Sequence, residues 1–285
     1  MPGPALYAGR VALSPYADLQ RPPLPLAALR AALIRDGGRW ALQVVTETGS
    51  TNADAATAAQ AGAPAGLVVV AEHQTAGRGR LDRSWQSPPR AGLTFSVLLR
   101  PGVPRESWAL LPALVAVAVA TALERHAGVE VRIKWPNDLV VDDRKLAGML
   151  TEVVGDAVVV GLGVNVSTRP EELPAGATSL AAETGEAVDR PPVLLAVLRE
   201  VAAAYDEWET TGGEAEPVLR SYRQLSATLG RTVRAALSGG EMLTGRAVAV
   251  DGTGRLVLAP EDGPSRTLST GDVVHLRESG LGRDR

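Results

Sequence analysis

The chain has 285 residues, 45% of them hydrophobic, and a formal net charge of −3. That is enough material for one large domain with a small appendage, and it carries neither the basic footprint of a general nucleic-acid binder nor a run of like charges suited to an interaction tail. With no cysteine, a disulfide framework, a thiolate metal site and a cysteine nucleophile are excluded.

In chain order, residues 1–22 carry several prolines with little periodicity and read as an arm, followed by a short helix over 25–34. No two-helix DNA-reading unit fits before Trp40. LQVVTET predicts a strand, Ser50 or Thr51 caps an Ala-rich helix to Ala61, and GLVVVAEHQ predicts a buried strand. A glycine-bearing loop, TAGRGRLDRSWQSPPRAG, precedes the strand LTFSVLLR and a buried helix over 105–126. The most apolar stretch, residues 108–123, is broken by Pro112 and too short to span a membrane, and no basic segment followed by an apolar run opens the chain. The expectation is a soluble, cytoplasmic protein. Strands follow over 129–134, 145–153 and 157–166, with Asp142 and Asp143 in a tight turn, then a polar loop over 167–177 and helices over 191–210 and 215–225. After Leu229 the segments become short and alternating, with D-G-T-G marking a hairpin and Gly271-Asp272 another turn, as in a small SH3-like β barrel. Three parts are expected: an arm and short helix over 1–38, a main domain over 39–228 and a small β domain over 229–285.

Lysine and asparagine are ordinarily common, yet Lys134 and Lys145 are the only lysines, and Asn52, Asn137 and Asn165 the only asparagines. Where arginine, aspartate or serine serve elsewhere, the survivors mark positions needing a compact ammonium or an amide that both donates and accepts. In Gly77-Arg78-Gly79-Arg80, followed by Arg83 and Trp85, two glycines allow close backbone approach and three arginines offer forked donors, which suits an anion. A solvated connection has the same composition. Lys134-Trp135-Pro136-Asn137-Asp138 reads as an irregular crossing that presents Lys134, Asn137 and Asp138 together, or as a plain surface turn. Strand alternation puts Lys145, Ala147 and Met149 on one face. Ser50-Thr51-Asn52 opens a helix, where free N–H groups favour a polar or anionic group. Gly161 and Gly163, ahead of Asn165, let a strand line a pocket. Neither a complete dinucleotide fingerprint nor a P-loop is present, and His73, His126 and His275 form no zinc or triad pattern.

Six motifs in order, T-G-S-T-N at 48–52, E-H-Q-T-A-G-R-G-R at 72–80, R-S-W at 83–85, K-W-P-N-D at 134–138, R-K-L-A-G at 144–148 and G-L-G-V-N at 161–165, resemble the biotin protein ligase family, over residues 40–277. The resemblance implies an α+β fold: a mixed-sheet catalytic domain of the biotin/lipoate ligase type and an SH3-like C-terminal domain. It is to monofunctional members, without an N-terminal DNA-binding domain. The implied activity is ATP-dependent formation of biotinyl-5′-AMP with release of pyrophosphate, then transfer of biotin to a lysine of a biotin carboxyl carrier protein, with Mg²⁺ bridging phosphates. No DNA and no membrane partner is implied.

The resemblance also implies the site. Lys145, Arg80 and Asp138 are the catalytic candidates, Asp138 as acceptor of the incoming lysine's proton. Biotin falls to Ser50, Thr51, Asn52, Gln74, Gly77, Arg78, Gly79, Arg80, Lys145, Gly148, Gly161 and Gly163. ATP falls to Arg78, Arg80, Arg83, Trp85, Lys134, Asn137 and Asn165, and the metal to Asn137 and Asp138. The loop at 77–85 is expected to fold over the adenylate. Lipoate-protein ligase, which shares the fold, and a non-catalytic biotin-sensing or carrier-binding module remain the alternatives.

Overall fold

The computed structural model describes residues 21–80, 83–236, 242–269 and 272–275. Most of the expected N-terminal arm, Leu81 and Asp82 of the arginine loop, and Gly271 of the last expected turn lie outside the described residues. In chain order, α1 (Leu26–Arg35), β1 (Ala41–Val45), α2 (Thr51–Gln60) and β2 (Leu67–Ala71) lead to a ribbon of β3 (Gly77–Arg78) and β4 (Ser84–Trp85). β5 (Gly92–Leu99) and α3 (Leu111–Ala127) are followed by β6 (Arg132–Lys134), β7 (Asp138–Val141), β8 (Arg144–Val154) and β9 (Ala157–Asn165). Three helices, α4 (Leu180–Thr184), α5 (Arg190–Thr210) and α6 (Ala215–Leu225), precede the C-terminal strands β10 (Thr232–Ala236), β11 (Met242–Val250), β12 (Leu256–Ala259), β13 (Arg266–Leu268) and β14 (Asp272–His275).

The main sheet has seven strands in the order β1-β2-β5-β9-β8-β7-β6, parallel only between β1 and β2. Its two faces are covered unequally. The large core lies between the sheet and α3, α5 and α6, with Phe95, Leu93, Leu123 and Ile133 fully buried. Each such side chain contributes about 1.5–3 kcal/mol by leaving water. On the opposite face α2 alone forms a second, smaller cluster, setting Ala55 and Ala59 on Leu67, Val69, Leu98 and Val159. Alanine on the inner face of α2 allows close approach to the sheet, so its N-terminus arrives directly over β5, β8 and β9.

Two expectations change. The residues 105–127, a 3₁₀ turn running into α3, make a helix long and apolar enough to cross a membrane by composition, against the expectation that this stretch is too short. It is apolar nearly all round because it is a core helix, packed against α5, α6 and the sheet. The K-W-P-N-D segment is also more regular than expected. It is the turn of a hairpin, β6 pairing with β7 so that Lys134 faces Asp138. β7 escaped the sequence reading because it is only four residues long and sits between two turn signals.

β10 to β14 form a five-stranded antiparallel sheet in the order β13-β12-β11-β10-β14, consistent with the expected SH3-like domain. The D-G-T-G hairpin is built as its residues predict, the Asp251 carboxylate accepting from the Thr253 and Arg255 backbone N–H groups. Val233, Ala235, Ala247, Leu258 and Val273 join the large core of the main domain.

Candidate active site

Most of the residues singled out from the sequence line one cleft that opens to solvent. Its wall at the start of α2 is a buried polar chain. Gln74 Oε1 accepts from the Thr51 backbone N–H (2.7 Å). Ser96 Oγ lies 2.8 Å from Thr51 Oγ1 and 2.6 Å from Asn52 Oδ1. Asn52 Nδ2 donates to Leu150 O (3.2 Å) and to Glu152 Oε2 (2.7 Å). Two hydroxyl hydrogens serve this chain. The Thr51 hydroxyl donates to Gln74 Oε1 (3.0 Å), and Ser96 has its one hydrogen to share between Thr51 Oγ1 and Asn52 Oδ1. Asn52 thus lines the cleft but spends its amide on the protein. Gly161 makes that possible, since a Cβ there would lie 1.9 Å from Asn52 Oδ1.

A β-bulge decides where Lys145 points. Leu139 pairs with Ala147 and Val140 with Lys145, leaving Leu146 as the extra residue. One extra residue reverses the alternation. Lys145 therefore does not share a face with Ala147 and Met149, as expected; those two belong to the large core. Its side chain lies across Gly148, where a Cβ would be 3.1 Å from both Cε and Nζ. The ammonium meets Asp138 Oδ1 at 2.8 Å and stands 5.7 Å from the Trp85 ring centroid, within cation–π range. Lys145 is also fixed by backbone, donating to Gly176 O and accepting from the Thr178 N–H.

Across the cleft stands the β3/β4 ribbon. Arg78 Nη2 meets Glu152 Oε2 at 3.2 Å, with the arginine side chain half exposed. Gly79, Arg80, Arg83 and Ser84 complete that rim. The Trp85 ring lies against Gly163, where a Cβ would be 2.3 Å from the ring, and among the described residues its buried Nε1 has no partner. Gly77 is not on the cleft surface. A side chain there would strike Trp85 O (2.5 Å) and Gln74 Nε2 (2.8 Å), so it is bare to let ribbon and Gln74 close up.

The C-terminal domain braces the turn between β6 and β7. Thr228 Oγ1 accepts from the Trp135 N–H (3.0 Å), and Trp135 Nε1 donates to Gly254 O (3.0 Å). Thr228 Oγ1 in turn contacts His275 Nε2 (3.1 Å), and His275 Nδ1 meets Asp143 Oδ1 (2.9 Å), in the turn just before Lys145. Arg231 binds both Asp143 oxygens. Burial pushes the His275 imidazole below its ordinary 6.5; Asp143 pulls the other way, while Lys134 and Arg231 add to the depression. In Asp143, hydrogen bonds from Arg231 and His275 outweigh burial and hold the carboxyl below its ordinary 3.8. Val273 of β14 reaches the cleft surface, so the C-terminal domain contributes to its lining.

Ser50, Thr51, Asn52, Gln74, Arg78, Gly79, Arg80, Arg83, Trp85, Lys134, Asn137, Asp138, Lys145, Gly148, Gly161 and Gly163 all line the cleft. Asn165 does not. It is buried and its amide donates to Thr178 O (2.9 Å), tying down the segment that pairs with Lys145. Among the described residues no three His, Asp or Glu side chains gather as a metal cage. Asn137 Nδ2 is occupied by Met149 O, leaving its Oδ1 with Asp138 Oδ2 as oxygen donors. That donor set fits a Mg²⁺ held mainly by phosphates.

Residues 43–166 match the biotin/lipoate A/B protein ligase family, and residues 228–276 match the biotin protein ligase C terminal domain. The biotin--[acetyl-CoA-carboxylase] ligase of Mycobacterium tuberculosis is 42% identical over 267 residues, which span 91% of this chain and 98% of that protein. The chain belongs to the biotin protein ligase family. Within the family, the bifunctional ligase/repressor BirA of Bacillus subtilis is 34% identical over 77% of this chain and 70% of its own length. Among solved structures, the biotin protein ligase of Aquifex aeolicus in complex with biotin and ATP superposes with a TM-score of 0.72 at 30% identity, covering 83% of this chain and 99% of that one. The Leishmania major ligase in complex with biotinyl-5-AMP gives 0.57 at 27% identity, covering 80% and 98%.

Sequence reasoning missed the residues that support this family site from behind. Ser96 is fully buried in β5, and Glu152 looks like any exposed-face glutamate of a strand. A serine inside a strand that is apolar apart from Thr94, L-T-F-S-V-L-L, was the available signal for the first. Nothing in the sequence marked the second.

Proposed function

We propose that this chain is an ATP-dependent biotin protein ligase whose chemistry is carried by Lys145 at the junction of the two walls of the cleft. In the first step a biotin carboxylate oxygen attacks the α-phosphorus of ATP, the bond to the β-phosphate breaks, and pyrophosphate leaves. Both reactants are anionic, so cations offset their repulsion and stabilise the charge of the transition state. A compact ammonium fits between carboxylate and phosphate oxygens where a planar guanidinium would collide. In the second step an acceptor lysine attacks the acyl carbon, the bond to AMP breaks, and an amide forms with loss of a proton.

The observation that carries this reading is the convergence, over Gly148, of Lys145, Asp138 and the K-W-P-N-D turn, with hydrogen-bonding Thr51 at one end and arginines at the other. Thr51, Ser50 and Gln74 suit the ureido ring, with its N–H and C=O groups. Arg78, Arg80, Arg83 and Lys134 suit the phosphates. Trp85, by its place on Gly163 beside Lys145, suits a wall of the same cavity, and Asp138, paired with Lys145, is within reach of a proton leaving the acceptor amine. Mg²⁺ accompanying the nucleotide supplies charge neutralisation at the phosphates, and Asn137 and Asp138 are the residues that would hold it. The implied partner is a biotin carboxyl carrier protein, and the cytoplasm is the proposed place of the reaction. Pyrophosphate release from ATP in the presence of biotin, and a mass increase of the carrier's lysine, test the reading; equal release with lipoate in place of biotin would overturn the choice of substrate.

A further inference from the structure

A single carboxylate oxygen connects the two walls of the cleft. Glu152 Oε2 accepts from Asn52 Nδ2 (2.7 Å), the end of the buried chain behind the α2 wall, and from Arg78 Nη2 (3.2 Å) on the arginine ribbon. Glu152 sits on β8 opposite Val159, outside the cleft lining, and none of the proposed steps uses it. We infer that Glu152 is a positioning residue: anchored through Asn52, it holds the Arg78 guanidinium by one edge and presents the remaining donors to the anionic end of the bound ligand.

The geometry supports holding over sequestering. Guanidinium has five N–H donors in a fixed fork, and the carboxylate engages one nitrogen, so the others remain for a carboxylate or phosphate. Glu152 is itself held at the Asn52 end, and Asn52 is immobilised by Leu150 O and Ser96 and by the bare backbone of Gly161. An arginine ordered in advance loses less side-chain freedom when the anion arrives. The contact is half exposed on the arginine side and about one-third exposed on the glutamate side. Screening limits such a pair, and its removal is expected to weaken ligand affinity about two- to fivefold. Sequestration predicts the opposite sign, because releasing Arg78 would then tighten binding.

The inference rests on Arg78 facing the anionic part of the ligand, as proposed above, and a double-mutant cycle separates the two claims. In the full chain, Glu152→Gln keeps an acceptor for Asn52 and removes the charge that holds Arg78. The dissociation constant for biotin and the KM for ATP are measured in the wild type, E152Q, R78Q and the double variant, with thermal unfolding of each. Expected is a two- to fivefold rise in at least one of the two constants for E152Q with kcat nearly unchanged. A smaller penalty for R78Q in the E152Q background than in the wild type is also expected. Glu152→Asp, which keeps the charge one methylene shorter, should fall between. If R78Q weakens binding while E152Q leaves it unchanged or tightens it, or if the two penalties simply add, the positioning role is overturned and the placement of Arg78 survives. If R78Q itself has no effect, the placement of Arg78 fails first and the role of Glu152 with it.

Discussion

On the α2 side of the cleft Ser50, Thr51, Asn52 and Ser96 are at most 7% exposed, and Ser96 bonds both Thr51 and Asn52. On the opposite rim Arg78 is half exposed and, among the described residues, held by Glu152. The difference matches what each wall is proposed to recognise. A neutral ring with fixed donors and acceptors is discriminated by buried groups that suffer if left unpaired. Anionic phosphates are strongly hydrated and repel one another, and the partners proposed for them are exposed cations. Lys145 stands where the walls meet, rigid in its backbone and partly exposed at its ammonium.

The sharpest way to break this picture is at that junction. Lys145→Ala is expected to raise the barrier to adenylate formation by about 2.7–4 kcal/mol, by comparison with other transition-state donors, while thermal stability changes little. Lys145→Arg should restore little of the rate, and near-normal single-turnover adenylation by that variant would refute the need for a compact charge. On the rigid wall, Gly161→Ala forces a methyl into Asn52 Oδ1 and is expected to cost about 1–3 kcal/mol of unfolding free energy through overpacking, with weaker biotin binding by calorimetry as Asn52 and Thr51 are displaced. A wall able to absorb the methyl without loss of affinity would not be rigid.

Further from the ligand, Thr228→Val leaves the Trp135 N–H without its acceptor and removes the partner of His275 Nε2. A loss of about 1–3 kcal/mol in unfolding free energy is expected, with slower adenylation because the K-W-P-N-D turn is no longer braced. Unchanged adenylation would show that the turn holds its shape without the C-terminal domain. The smallest effect concerns pH. Because the folded imidazole of His275 titrates below its ordinary 6.5, the unfolded chain binds the extra proton first as pH falls. This contribution to stability is complete above 6.5 and is lost on acidification from there to the folded value, at no more than about 1.4 kcal/mol per pH unit. His275→Gln should flatten that part of the stability profile in chemical denaturation.

The sequence by itself determined the elements and the cast of the site. Strong periodicity fixed α3, α5, β2, β5 and β9 to within a few residues, and the rarity of lysine and asparagine pointed at Lys134, Lys145, Asn52 and Asn137, all of which line one cleft. Those signals are local: an apolar repeat, a turn residue, a residue type retained where the rest of the chain does without it. The tertiary structure alone decided which way Lys145 faces, because a bulge at Leu146 exists only in the pairing of β8 with β7. It also decided that Asn165 braces a loop outside the cleft lining, that Val273 of the last strand reaches the cleft, and that Glu152 joins Asn52 to Arg78. Each depends on a contact between residues far apart in the chain, and register and pairing partner are set by packing, which local sequence does not encode.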